Sequence, residues 1–150
     1  MKVATKYFGE VEVEEKEIVH FSQGLPGFRH INEFILLPLP DAPMYSVLQA
    51  AREKETAFVT ANPYLFFKDY EFDIDENSKV ELQLETPEDV ELYCVLTVRD
   101  PFRESTINLQ APVVINKRTN QAKQLILNSS RYHTKHGIAD QKAGDKHVNP

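Results

Sequence analysis

Cysteine occurs once in the 150 residues, as Cys94. A single thiol excludes an internal disulfide, and there is no Cys cluster to hold zinc. Long apolar runs are also missing. No stretch approaches the ~18 apolar residues of a membrane span. The N-terminus, MKVATKYFGEVEVEE, lacks the ~7–15-residue apolar core of a signal peptide. These absences lead to the expectation of a soluble cytoplasmic protein with no membrane partner, in which the sequon at Asn128-Ser129-Ser130 is a chance occurrence. Catalytic signatures are absent too: the sequence has no Walker A, GxGxxG, GxSxG or HExxH pattern. No enzyme activity, cofactor or small-molecule substrate is expected.

Positive charge is scarce over most of the chain. Residues 1–50 carry 4 basic and 7 acidic side chains, residues 51–100 carry 5 and 13, and residues 101–150 carry 8 and 3. The first hundred residues therefore hold −11 and the last fifty +5, within a net −6. An acidic body of this kind repels a phosphate backbone, so direct nucleic-acid binding is disfavoured. The 41% hydrophobic and 27% charged content is ordinary for a globular protein, and the length suits one domain with a normal core.

What the chain does have is a period of two. From Val90 to Arg99 the even positions are Val90, Leu92, Cys94, Leu96 and Val98, alternating with Glu91, Tyr93, Val95, Thr97 and Arg99. That pattern predicts a strand with its even face in the core, which makes Cys94 a small buried hydrophobe rather than a nucleophile. Further strands are predicted at 3–8, 10–14 (with a bulge or turn at Gly9), 17–21, 34–39 (buried on both faces), 45–50 and 56–61. A final hairpin is predicted from 113–116 to 124–127 around Lys117-Arg118-Thr119-Asn120-Gln121. A short helix at 76–82, capped by Asp75 or Asn77, competes with a strand pattern at Val80, Leu82 and Leu84. Thr86-Pro87 reads as a cap with Pro at the first helical position. The sum is an all-β, mainly antiparallel, barrel-like domain over 1–136 with one or two short helical turns, followed by a mobile tail at 137–150.

Titratable clusters offer little chemistry. His133 and His136 are three apart but have no carboxylate at ligand spacing, and they read as solvated. His20 and His30 lack a nucleophile or an orienting partner. Asp73 and Asp75 fall on one strand face in an acid-rich stretch and read as a solvated surface.

Three turn-rich loops are more specific. In Ser22-Gln23-Gly24-Leu25-Pro26-Gly27-Phe28, Pro26 fixes φ and Gly27 can supply φ > 0, which suits a type II turn. Phe28 then either plugs the core or is presented by a recognition loop. Asn62-Pro63-Tyr64 leads into Tyr64-Leu65-Phe66-Phe67 and Tyr70, aromatics that either pack inward or form a docking patch. Asn108-Leu109-Gln110-Ala111-Pro112 precedes the final hairpin. The candidate partner-contact residues are Gly24, Leu25, Pro26, Phe28, Asn62, Tyr64, Phe67, Tyr70, Asn108, Leu109 and Pro112.

In order, GEVEVEE (9–15), FSQGLPGF (21–28), FILLPL (34–39), AFVTANPY (57–64), KDYEF (68–72), STINLQAPVVIN (105–116) and KQLIL (123–127) resemble the FliW flagellar assembly factor family over residues 1–136. The resemblance implies a compact antiparallel β-barrel and a non-enzymatic regulator. Such a regulator binds CsrA, a dimeric RNA-binding translational regulator, and relieves its repression of flagellin messenger RNA. It also binds flagellin, and the two partners exclude each other.

The charge balance then suggests how RNA would be released. An acidic face docked beside the basic RNA surface of CsrA lowers the local potential and repels RNA. The candidates for this face are Asp69, Glu71, Asp73, Asp75 and Glu76. Two other readings stay open. One is a barrel that binds RNA directly through Tyr64, Phe66, Phe67, Lys117 and Arg118. The other is a small-molecule binder or enzyme using the barrel interior.

Overall fold

The computed structural model describes residues 1–139. Strands β1 (Lys2–Ala4) and β2 (Glu10–Glu12) form an N-terminal hairpin. β3 (Val19–Phe21), β4 (Glu33–Leu39), β5 (Ala42–Ala50), β6 (Ala57–Ala61) and β7 (Val90–Thr97) follow, then β8 (Thr106–Ile107), β9 (Val113–Asn116), β10 (Gln121–Gln124) and β11 (His136–Gly137). Seven of these close a barrel in the order β7-β6-β5-β4-β3-β10-β9, with β9 pairing back onto β7. All pairs are antiparallel except β10 with β3. One helix, α1 (Glu76–Glu81), and four 3-10 turns complete the chain, more helical turns than the one or two expected.

Every barrel strand contributes to one interior cluster. Val19, Phe21, Phe34, Leu48, Ala50, Val113, Ile115 and Ala122 are buried there, with Leu36, Phe58 and Tyr93 packed against them. The pairings Phe34–Ala50, Leu36–Leu48, Leu48–Phe58 and Tyr93–Val113 place these side chains on one face. Cys94 and Leu96 are therefore on the outer face of β7. They are buried by a second layer built from Tyr70, Ile107, Leu109, Tyr132 and Ile138. The alternation in β7 thus separates two buried faces, not core from solvent. The odd position Tyr93 faces the interior, and burial pushes its phenol up to about 12. Burial likewise pushes the Cys94 thiol up to about 12, which leaves it protonated and inert at neutral pH.

Local hydrogen bonds trimmed several predicted strands. β1 stops at Ala4 because Thr5 turns the chain: its N–H and hydroxyl both donate to the Gly9 carbonyl (2.8 and 2.6 Å), and its Oγ1 accepts the Phe8 N–H. Gly9 has φ +66°. Glu17 lies in a 3-10 turn, Glu15–Glu17, held by the Glu14 N–H donating to Glu17 Oε1. β4 is fully buried only at Phe34 and Ile35. Its far end is half-exposed because the small N-terminal hairpin covers only part of its outer face. β7 ends before Val98, which is exposed. β10 begins at Gln121, three residues earlier than predicted. Asn120 adopts φ +59° and closes a four-residue turn.

The stretch at 76–82 is helical rather than extended. Asp75 caps α1 through the Ser78 N–H and hydroxyl, and these two bonds hold its carboxyl below the usual range. Leu82 is buried and Val80 fully outward, so the period-two pattern there is broken by the helix. Asp73 lies in a loop and not on a strand face with Asp75. Packed structure continues past residue 136: Gly137 pairs with Thr106 and Ile138 is buried. The rest of the expected tail, 140–150, lies outside the described residues.

Candidate functional site

The GLPGF loop is a turn built into the barrel end. Phe28 N–H donates to the Leu25 carbonyl at 2.7 Å, with Gly27 at φ +84° after Pro26, as the sequence predicts for a type II turn. Leu25 is buried in the barrel interior, and Phe28 packs edge-on against Phe58 at 5.4 Å between centroids. Phe28 thus supports the interior. Only Pro26 and Gly27 stand out at the tip.

The NLQAP loop is a buried junction. Asn108 Oδ1 accepts the N–H groups of Gln110 and Ala111 (both 3.1 Å). The Leu109 carbonyl accepts the Tyr70 hydroxyl at 2.7 Å, and the N–H groups of Leu109 and Gln110 donate to the His133 carbonyl. Leu109 is 1% exposed and Tyr70 3%, and Pro112 is buried. Burial pushes the Tyr70 phenol far above its usual range.

In the NPY segment Asn62 and Tyr64 face solvent and Pro63 is buried. Asn62 caps a 3-10 turn, Pro63–Leu65, its Oδ1 accepting the Tyr64 N–H at 2.9 Å. Tyr64 and Leu65 are 43% and 49% exposed, while Phe66 and Phe67 turn inward. Met44 of β5 is 56% exposed. Together with Phe72, Ile74, Leu84 and the first half of β7, Tyr64, Leu65 and Met44 line a groove of about 920 Å³. Met44, Leu65, Ile74 and Leu84 are absent from the sequence-derived candidates. Leu65 lies inside the aromatic stretch 64–67 but is not itself aromatic, and the other three belong to no loop motif.

The acidic candidates share one connected segment beside this groove. Asp69, Glu71, Asp73, Asp75 and Glu76 are all exposed. Glu71 has Arg131 at 3.8 Å and Glu76 has Lys79 at 3.3 Å. The basic hairpin is less available than its sequence suggests. Arg118 donates to the Gln83 carbonyl at 2.7 Å and lies against Asp89 and Glu85. The half-buried Phe66 and Phe67 and the occupied Arg118 leave little of a basic aromatic groove for RNA. Asp89 accepts the backbone N–H groups of Glu85 and Thr86, which together with Arg118 hold its carboxyl below the usual range.

A model of the family described as "FliW protein" matches residues 2–138. The chain belongs to the FliW family. The flagellar assembly factor FliW of Geobacillus kaustophilus (strain HTA426) is 46% identical over 142 residues, covering 95% of this chain and 98% of the relative. That of Bacillus subtilis (strain 168) is 40% identical over 138 residues, covering 92% and 96%. A crystal structure of the flagellar assembly factor FliW superposes with a TM-score of 0.88 at 44% identity, over 92% of this chain and 96% of that one. This FliW-family chain thus has both the fold and the length of its relatives, which places it among flagellar assembly factors.

One of the pair His133 and His136 differs from its reading as solvated. His133 is exposed, but His136 is half-buried in β11 and its Nε2 accepts the His133 N–H at 2.8 Å. Its ring stacks on His133 at 5.3 Å and meets Phe67 edge-on at 5.6 Å, with the Tyr132 ring at 6.3 Å. Burial, and then the charge of His133, lower its pKa. The fold therefore binds fewer protons here than the unfolded chain does. Stability should hold above the ordinary value of 6.5 and fall as pH drops through the depressed folded value. Urea midpoints measured from pH 7.5 to 5 should decline, and His136→Phe should flatten that slope. Among the described residues no three His, Cys, Asp or Glu side chains are close enough together to hold a metal, and no helix is long and apolar enough to cross a membrane.

Proposed function

We propose that this FliW-family protein antagonises CsrA, releasing flagellin messenger RNA from it, and that flagellin competes for the same protein. The family supports the choice of partners. The observation that carries the mechanism is the run of five exposed carboxylates on the single segment 69–76. Few cations neutralise that run, and a basic RNA-binding surface would be drawn to it. Bound there, the segment would raise the cost of holding an RNA phosphate nearby. Of the loop candidates, Pro26, Asn62 and Tyr64 have exposed surface to offer a partner. The buried Leu25, Tyr70, Leu109 and Pro112 would act by holding those loops in shape.

The test separates binding from release. The triple variant Asp69→Lys, Asp73→Lys, Glu76→Lys spares the helix cap Asp75 and should fold normally. CsrA binding and RNA displacement are then measured separately, by calorimetry and by gel shift. RNA displacement should weaken by about tenfold or more, beyond any change in CsrA affinity. Unchanged displacement at unchanged affinity would rule out electrostatic exclusion. A shift of RNA by this protein alone, without CsrA, would favour the direct RNA-binding reading instead.

A further inference from the structure

β7 has one edge that the barrel leaves unpaired. Lys117 N–H donates to the Asp89 carbonyl at 2.8 Å. In an antiparallel ladder hydrogen-bonded and non-bonded pairs alternate, so Glu91 and Tyr93 exchange bonds with β9, opposite Ile115 and Val113. Leu92 therefore turns its N–H and C=O the other way, toward β6. Yet β6 pairs with β7 only at Thr60–Val95 and Ala61–Cys94. The residue that would face Leu92 in that register is Pro63, which has no N–H to give and starts a 3-10 turn instead. The ladder with β6 has ended at Ala61–Cys94, and among the described residues no turn or loop group bonds the Leu92 backbone on this side. The Val90 N–H donates to the Pro87 carbonyl, and among the described residues no turn or loop N–H reaches the Val90 carbonyl.

This edge opens into the groove. Val90, Glu91, Leu92 and Tyr93 all line it, four consecutive residues, as a strand does when it presents its edge and not a face. Exposed apolar side chains also line it at Met44, Tyr64 and Leu65. The border is acidic: Asp73, Glu85 and Glu91 line the groove against Lys79 and Lys117. Residues 69–91 as a whole carry ten carboxylates and one lysine.

We infer that this groove takes an extended peptide segment of a partner protein, added as a strand on the free edge of β7, with alternating apolar and basic side chains. The backbone groups of Leu92 and Val90 supply the main-chain bonds. Apolar side chains on one face of the segment reach Met44 and Leu65, and basic ones on the other meet the acidic border. This inference does not depend on which protein supplies the segment, so its failure would leave the charge-reversal result untouched.

The probe is a random dodecapeptide library displayed on phage, panned on the full chain and counter-selected on the Met44→Glu, Leu65→Glu double variant. Recovered sequences should alternate apolar with Lys or Arg. The leading synthetic peptide should slow hydrogen exchange at the Leu92 amide, read by NMR, by about tenfold or more. N-methylation of alternate residues in one of the two registers should abolish binding, while the other register leaves it intact. The double variant, checked for an unchanged thermal transition, should bind at least tenfold more weakly. Any of three results overturns the inference. These are recovery of no peptide, a peptide that binds as a helix with the Leu92 amide still exchanging freely, or a chain that dimerises in sedimentation through this groove.

Discussion

Gly24→Ala is expected to cost this fold about 3 kcal/mol and to lower its melting temperature by about 6–12 °C. The estimate has two parts. Gly24 sits at φ +63°, a left-handed conformation that costs an L side chain about 1–2 kcal/mol. In addition, a Cβ there would lie 2.6 Å from Arg29 Cα and 2.7 Å from both the Arg29 and Phe28 carbonyl oxygens. These are backbone atoms, which cannot rotate aside as a side-chain tip could. Relief requires opening the GLPGF turn, which would pull Leu25 and Phe28 away from the barrel interior. Gly27 is the control in the same loop. It also has positive φ (+84°), but its Cβ would enter open space. Gly27→Ala should therefore cost only the conformational part, about 1 kcal/mol. Thermal melts of the two variants side by side check the argument. Equal losses would mean that the close approach at Gly24 contributes nothing.

Asn116→Ala is expected to be nearly as damaging, again about 3 kcal/mol. Asn116 is fully buried at the end of β9. Its Nδ2 donates to the carbonyls of Leu82 (2.7 Å) and Gln83 (3.2 Å), and its Oδ1 accepts the Arg118 N–H (2.9 Å). These carbonyls belong to the C-terminal end of α1, where helix geometry leaves acceptors without partners. One barrel side chain thus ties down both the helix that follows the acidic segment and the turn of the last hairpin. Truncation leaves the buried Leu82 carbonyl and the Arg118 N–H without these partners, while the Gln83 carbonyl keeps the Arg118 guanidinium. Asn116→Asp should be no better, because a carboxylate oxygen would then face the Leu82 carbonyl. Urea unfolding gives the global cost. Hydrogen exchange at Leu82 and Leu84 gives the local one, and it should rise more than exchange at Val114, in the barrel wall. A uniform rise would show that the anchor is not local to α1.

Much of this site was legible in the residues, and the reasons for the remainder are specific. The type II turn at Pro26-Gly27 and the Asp75 cap follow from backbone preferences that a residue carries anywhere. The strand at 90–97 was readable for the same reason, but its meaning was not. Alternation marks two faces without saying what covers each, and here a second aromatic layer buries the outer one. β8 and β11 have two residues each, too short for a period, so only pairing with each other and with β7 defines them. The groove was invisible because its walls come from β5, the turn after β6, the 72–74 segment and β7, and because its edge exists only where Pro63 ends a ladder. Buried residues such as Leu109 and Tyr70 stand in prominent motifs because they hold the loops together. Exposed Met44 carries no motif at all, and Leu65 is overshadowed by the aromatics around it.

By itself, the sequence determined the all-β class, the turn chemistry, the acidic balance of the first hundred residues and the family. Each of these is a local or additive property, set by backbone preference, side-chain period or charge count. Only the tertiary structure decided which face of β7 lies inside the barrel, which candidates are buried, that Arg118 is occupied and that Leu92 has a free edge. Those outcomes depend on contacts between residues far apart in the chain, and the register that creates them follows from closing seven strands into one ring.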